Sequence, residues 1–253
     1  MVPDRAEGVL IDRAATAPFV DIETLSPPGG LLVLVPHPDD ETLGCGETLA
    51  AAAEGGRRIG IVQLTDGEGS HPHSRSHPRE VLIALRGREF DEALDALTNG
   101  GAVERLRLGL PDGRTTIDEA TAPETVARVA SFGREIEARA IWTTWDHDPH
   151  CDHEAAAACA RAVADELGGL PVWSYAVWGR FGPHGRHAAS PCLFASAAYA
   201  GRKRRAIAAH RSQLTPLIKD DPSAFTMPPA LVKHFATHPE IFIPSGEAPD
   251  GRR

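Results

Sequence analysis

Apolar residues gather along the chain into short runs separated by longer stretches with helical spacing. Leu31 to Val35, Arg58 to Leu64, Arg105 to Leu108, Ala140 to Thr144 and Val172 to Val177 are short and largely apolar rather than alternating, which is what strands covered on both faces require. Between them, Leu43 to Ala53 is alanine-rich and stops at Gly55-Gly56. Val81 to Leu97 places Val81, Leu82, Leu85, Phe90, Leu94 and Leu97 at helical spacing before Asn99-Gly100-Gly101. A helix over Pro123 to Glu137 starts at Ala122-Pro123, and another alanine-rich helix covers Ala155 to Leu167. This alternation predicts an α/β fold, a mostly parallel sheet with right-handed crossovers and flanking helices. The 253 residues suit one large domain over 29–245, with a polar, proline-containing extension at 1–28 and a tail at 246–253.

Two of the runs end in concentrated polar chemistry. The first reads Pro36-His37-Pro38-Asp39-Asp40-Glu41 at the carboxyl end of a buried strand, the edge where ligands bind in open α/β sheets. His37 and Asp40, three apart around a turn, supply one nitrogen and one oxygen to a borderline metal such as zinc (Zn2+), which needs a third protein ligand and an open position to be catalytic. Asp39 is then a carboxylate beside the ion without binding it, suited to act as general base toward water. The competing reading is a helix N-terminus, where Asp39, Asp40 and Glu41 would cap free N–H groups. The second stretch, Trp145-Asp146-His147-Asp148-Pro149-His150-Cys151-Asp152-His153-Glu154, follows the fourth run. Of His150 and His153, one completes a zinc shell and the other donates to a developing oxyanion; the alternative is a solvent-exposed histidine cluster capping a helix. Asp148 or Asp152 suits the task of holding a histidine in one tautomer. Cys45 and Cys151 are expected to be bystanders.

Smaller signals surround these. Asp66, in the turn after the second run, either supports the site or caps its turn. Arg86 and Glu89 have the spacing of a surface ion pair on one helix. His71, His73 and His77 lie in a Ser/Pro/Arg-containing loop, metal-binding or simply mobile. Trp178 to Pro191 is a loop with aromatic, basic and glycine character that either sets substrate choice or is an ordinary surface excursion. Thr215 to Pro239 is a lid or a subunit contact. The net charge of −9 makes nucleic acid an unexpected partner, the run Arg202-Lys203-Arg204-Arg205 being a solvated helix face. No membrane span or signal peptide is visible and four cysteines show no framework spacing, so a reduced, cytoplasmic setting is expected, with a homo-oligomer left open.

The Pro36-His37-Pro38-Asp39-Asp40-Glu41 and His150-Cys151-Asp152-His153 motifs, in this order and at this separation, resemble the two motifs of the PIG-L/LmbE family of zinc-dependent N-acetylglucosaminyl deacetylases. The likeness runs from about Leu31 to Ala160, with a weaker echo from Lys203 to Gln213. The resemblance implies a Rossmann-like fold without a bound dinucleotide and hydrolysis of a linear acetamide on an amino sugar. By position it implies His37, Asp40 and His153 as zinc ligands, Asp39 as general base and His150 as the group that stabilises the tetrahedral intermediate or protonates the amine. It also implies Arg86 and Asp112 as sugar contacts. The expected substrate is an N-acetylglucosamine-containing small molecule or glycoconjugate. The alternatives are an amidase for a larger acyl or thiol conjugate of glucosamine, and a sugar- or metal-binding protein without turnover.

Overall fold

In the computed structural model, residues 6–183 and 190–245 are described; part of the 178–191 loop, part of the N-terminal extension and the whole of the 246–253 tail lie outside them. Seven strands form one sheet: β1 (Gly30–Val35), β2 (Arg58–Thr65), β3 (Val103–Leu110), β4 (Ala138–Thr144), β5 (Val172–Tyr175), β6 (Cys192–Phe194) and β7 (Glu240–Pro244), in the spatial order β3-β2-β1-β4-β5-β7-β6. The first five run parallel, while β7 pairs antiparallel with β5 and with β6. The predicted α/β class and mostly parallel sheet are thus present. The antiparallel β7 and the edge strand β6 beyond it are additions that their brief apolar runs did not announce.

Helices α1 (Val9–Ala14) and α2 (Ile22–Leu25) precede the sheet. They are followed by α3 (Asp40–Glu54), α4 (Arg79–Thr98), α5 (Ile117–Ala120), α6 (Pro123–Glu135), α7 (Cys151–Glu166), α8 (Ala197–Ala209), α9 (Arg211–Leu214) and α10 (Pro229–Thr237). Every residue of β1 is buried, and its side chains divide by parity. Leu31, Val33 and Val35 join Leu43, Phe90, Ile207 and Phe235 from α3, α4, α8 and α10. Leu32 and Leu34 join Ala130 of α6 and Ala156 and Val163 of α7 on the other face. The sheet is therefore sandwiched between helical layers, and each fully buried Leu or Val of β1 contributes roughly 1.5–3 kcal/mol. The segment before residue 29 belongs to this packing: Leu10 and Leu25 are fully buried, and the Trp142 indole donates to the Leu25 carbonyl at 2.9 Å.

Helix α3 is interrupted. Cys45 has φ −142° and ψ 24°, so the first turn, which carries Asp40, is a separate stub. Glycines flank the break for a steric reason. A Cβ on Gly44 would lie 2.2 Å from the Tyr175 ring, whose hydroxyl donates to the Leu34 carbonyl at 2.9 Å. Beyond the break, the Glu240 carboxylate of β7 accepts from the N–H groups of Glu47 at 2.6 Å and Thr48 at 2.9 Å, and pairs with Lys203 at 2.8 Å, all in the interior.

Two expectations are corrected here. Lys203, in the run read as a solvated helix face, is buried and paired with Glu240. Arg86 and Glu89 are not a surface pair: they are 3% and 0% exposed, on the inward side of α4. Glu89 accepts from the N–H and hydroxyl of Ser212, and Arg86 reaches into the site. The loop with His71, His73 and His77 is clasped. Asp220 accepts from the Ser74 hydroxyl and from the N–H groups of Arg75 and Ser76, and Asp221 accepts from the N–H of His73. No described helix is long and apolar enough to cross a membrane.

Candidate metal centre

From β1 the chain moves outward to β2 and β3, then returns to place β4 on the other side of β1. The direction reverses between β1 and β4, and a crevice opens at their carboxyl ends. The two polar stretches leave from those ends. Strand β1 delivers His37, Asp39 and Asp40, with Asp40 opening α3; β4 delivers His150 and His153, with His150 as the N-cap of α7.

His37, Asp40 and His153 bring one ligand atom each within 4.8 Å of one another. Asp40 Oδ2 is 3.0 Å from His37 Nδ1 and 3.3 Å from His153 Nε2. The far edge of each imidazole is tied to carboxylates. His37 Nε2 lies 2.9 Å from Asp152 and 3.1 Å from Asp112, and His153 Nδ1 lies 2.9 Å from Asp148. Each of these carboxylates is itself held by backbone N–H groups. Asp152 accepts from Gly113 and Thr115, Asp148 from Val177, Trp178 and Gly179, and Asp112 from Gly69. Protons on the far nitrogens leave the lone pairs of His37 Nδ1 and His153 Nε2 facing the Asp40 carboxylate. Among the described residues the buried His153 Nε2 has only the 3.3 Å approach of Asp40 to answer it, and three ligand atoms converging on one space suit a cation. The donor set of two nitrogens and one carboxylate suits a catalytic divalent metal.

His37, His150 and Asp152 form a second group with close donor atoms. His150 Nδ1, however, accepts from the N–H of Asp152 at 3.2 Å, and the Nε2 edge of His37 is occupied by carboxylates. The first set is the better cradle.

Without an ion these groups titrate as a cluster. Burial opposes charge on His37, but hydrogen bonds to Asp112, Asp152 and Asp40 hold its pKa well above the usual imidazole value. Burial likewise opposes charge on His153, yet Asp40 and Asp148 raise it to about 9. Burial alone would raise Asp40, but the charge and hydrogen bonds of His153 and His37 keep it well below the carboxylate range. His150 goes the other way: burial, then repulsion from His37 and His153, pushes it down to about 4. It is therefore neutral at pH 7, and with Nδ1 accepting, its Nε2 carries the proton.

Asp39 stands outside the triad. Its backbone has φ 152° and ψ −24°, a left-handed conformation rare for a residue with a Cβ, of the kind that clusters at functional positions. Its Oδ2 lies 3.3 Å from Arg86, whose guanidinium also donates to the carbonyls of Gly67 at 2.7 Å and Pro38 at 2.9 Å. Burial pushes the Asp39 carboxyl up to about 7, with the Arg86 charge opposing and Asp40 reinforcing the rise.

A cavity of about 310 Å³ opens over this floor, bordered also by Arg86 and Asp112. Asp66 is not part of it; its carboxylate accepts from Gln63 and Arg107. Cys45 is buried in the core and Cys151 is exposed, neither within the three-ligand group. Sequence reasoning did not assign the cavity-lining Trp178, Gln213 and Phe225. The signals were present but coarse, since each falls in a stretch marked as a loop, a helix echo or a lid.

A family model described as PIG-L: GlcNAc-PI de-N-acetylase matches residues 32–164, which contain both polar stretches. A 1D-myo-inositol 2-acetamido-2-deoxy-alpha-D-glucopyranoside deacetylase from Kineococcus radiotolerans is 28% identical over 169 residues, 66% of this chain; the chain spans 44% of that relative's length. The uncharacterized deacetylase YaiS of Escherichia coli is 28% identical over 146 residues, 55% of this chain and 72% of that protein. Among solved structures, a conserved protein from Thermus thermophilus is 30% identical with a TM-score of 0.55, covering 72% of this chain and 79% of that one. The N,N'-diacetylchitobiose deacetylase from Pyrococcus horikoshii is 19% identical with a TM-score of 0.59, covering 77% and 74%, and shares the fold. With the motif residues converging at a switch point of the same fold, and the match extending over more than half the chain, the protein belongs to the PIG-L family.

Proposed function

We propose that the protein is a zinc-dependent amidohydrolase that removes the N-acetyl group from an N-acetylglucosamine-containing small molecule or glycoconjugate. The observation that carries this reading is the pairing of a three-ligand cradle with a separate carboxylate. His37, Asp40 and His153 converge on one space, and Asp39 lies beside it on Arg86 rather than within it. A protein that only held metal would have no need of that fourth group.

His37 Nδ1, Asp40 and His153 Nε2 would hold the ion. The chemistry a bound zinc supplies is polarisation of the amide carbonyl and a lowered pKa for the attacking water. Asp39 takes the proton from that water as its oxygen bonds to the carbonyl carbon. In the metal-free protein burial raises the Asp39 carboxyl above the ordinary carboxylate range, the direction that suits a base which must accept a proton and later release it near neutral pH. His150, neutral with Nε2 protonated, donates to the developing oxyanion; full protonation is not required for this. When the C–N bond breaks, the proton held by Asp39 passes to the nitrogen, giving acetate and a free amine. Asp112 and Arg86 border the cavity where the sugar would lie, and each also orients a working group, His37 and Asp39 respectively.

The test is elemental analysis of the purified protein paired with free-amine release from a panel of N-acetylglucosamine conjugates before and after chelation. About one zinc per chain with chelator-sensitive amine release is expected. Amine release that survives complete metal removal would reject the mechanism, and metal without release from any conjugate would reject the substrate.

A further inference from the structure

The described side chains that line the cavity are chemically divided. The charged and imidazole groups, His37, Asp39, Asp40, Arg86, Asp112 and His150, belong to the metal centre and its supports. Arg86, the one permanent cation among them, is committed to Gly67, Pro38 and Asp39. The other large side chains at the cavity are Trp178 and Phe225, both half-buried. They meet edge to face with centroids 5.9 Å apart, and Phe235 packs against Trp178 at 6.5 Å.

This aromatic pair is fixed in place. The Trp178 backbone N–H donates to Asp148 at 3.1 Å, within the turn that supports His153. The Phe225 N–H donates to the Ser70 carbonyl at 2.9 Å, and the Met227 N–H to the Gln213 carbonyl at 2.8 Å, which pins the segment around Phe225 across the site. Gln213, 1% exposed, is the amide-bearing side chain at this wall, its Nε2 held by the hydroxyls of Ser212 and Ser70. Rigid aromatic surface bordering a cavity gains most when an apolar ligand group covers it. Away from the metal position the described lining residues include no cation, so an anionic group there would lose its hydration without gaining a charged partner. Trp178 and Phe225 also lie outside the span that matches the family, residues 32–164.

We propose that Trp178 and Phe225 form an apolar subsite for an uncharged hydrophobic group that the substrate carries beside its N-acyl sugar, and that a phosphate or carboxylate at that place is disfavoured. The group is either a longer acyl chain or an apolar aglycone. The subsite rests on the deacetylase reading only for the identity of the sugar amide.

The experiment compares kcat/KM of the zinc-loaded protein for N-acetylglucosamine, its phenyl and octyl glycosides, N-butanoyl and N-hexanoyl glucosamine, and N-acetylglucosamine 1-phosphate. One arm, acyl or aglycone, should rise about fourfold per buried methylene until the subsite is full, identifying the source of the apolar group. The phosphate should be poorer than the free sugar. In Trp178→Ala and Phe225→Ala the preference ratio for the favoured substrate over N-acetylglucosamine should collapse toward one, mainly through KM, while Trp178→Phe retains most of it. Flat series in both arms, an unchanged ratio in both alanine variants, or preference for the phosphate overturns the subsite. If no sugar amide is hydrolysed, calorimetric titration with hexyl glucoside decides separately. Binding weakened about tenfold by Phe225→Ala or Trp178→Ala keeps the subsite while the deacetylase reading falls. Absent binding, or binding indifferent to both variants, overturns it.

Discussion

Replacing Asp39 with Asn separates the metal from the chemistry. Asp39 contributes no atom to the three-ligand group, so the variant should bind metal as the parent does. What it loses, on the proposed mechanism, is the proton acceptor. General base catalysis by a positioned side chain contributes roughly 10²- to 10⁴-fold, so kcat/KM should fall by that factor, about 3–5 kcal/mol in activation free energy. Stability should move in the opposite sense. Because burial raises the folded-state pKa of Asp39 from 3.8 to about 7, the folded protein holds that proton more tightly than the unfolded chain. The contribution of Asp39 to stability therefore declines as pH rises from about 4 to about 7, and Asn removes the decline. Arg86 keeps its bonds to Gly67 and Pro38 in the variant. Metal content, steady-state amine release and thermal melts at about pH 5 and pH 8 test all three parts, with the melting temperature of the variant equal to or above the parent's at the higher pH. Loss of metal would mean that Asp39 is a ligand, and turnover within a few-fold of the parent would remove it as the base.

Asp148→Asn should weaken metal binding about 10- to 100-fold, as measured with a competing chelator, because Asp148 fixes the His153 ring through Nδ1; unchanged affinity would show that the ring needs no such anchor. Metal uptake should displace protons. His37 is raised well above the imidazole value and His153 to about 9, so apparent affinity should climb as pH rises from about 6.5 toward 9; a flat profile would contradict the cluster described for the metal-free protein. The ion-pair contribution of His153 to the metal-free fold is complete below about 6.5 and lost through about 9, so metal-free protein should melt lower at about pH 9.5 than at pH 7. Gly44→Ala would drive a methyl group to 2.2 Å from the Tyr175 ring, and an overpacking cost of about 1–3 kcal/mol or more should appear in denaturant unfolding.

The β1 and β4 ends were readable because buried parallel strands are continuous apolar runs and their polar termini stand out beside them. His37, Asp40 and His153 are 116 positions apart at the extremes, yet the sheet order makes β1 and β4 neighbours, and the motif order carried that pairing. Arg86 and Glu89 show where such reading stops. Spacing says that two residues share a helix face but not whether that face looks outward, and here both are buried. The tautomer of His150 depends on an N-cap contact with the Asp152 N–H, which no spacing specifies. Phe225 reaches the cavity through irregular chain held by its N–H on the Ser70 carbonyl, and Gln213 from the four-residue helix α9 with its Nε2 on the Ser70 hydroxyl, so periodicity had too little to register.

The interrupted helix α3 has a bearing on how far this site is portable. Its second half begins at Glu47 and Thr48, whose N–H groups would be orphaned at the break were Glu240 not there to receive them. Glu240 comes from β7, nearly two hundred positions later, and its charge is paired in the interior with Lys203 of α8. Cutting the chain before β7 would strand a buried lysine, typically a loss of about 3–5 kcal/mol, and uncap the segment that backs the Asp40 stub. The stretch bearing His37, Asp40 and His153 is therefore not an exchangeable module. The last strand of the chain is a structural support of the candidate metal centre although it contributes no atom to the three-ligand group.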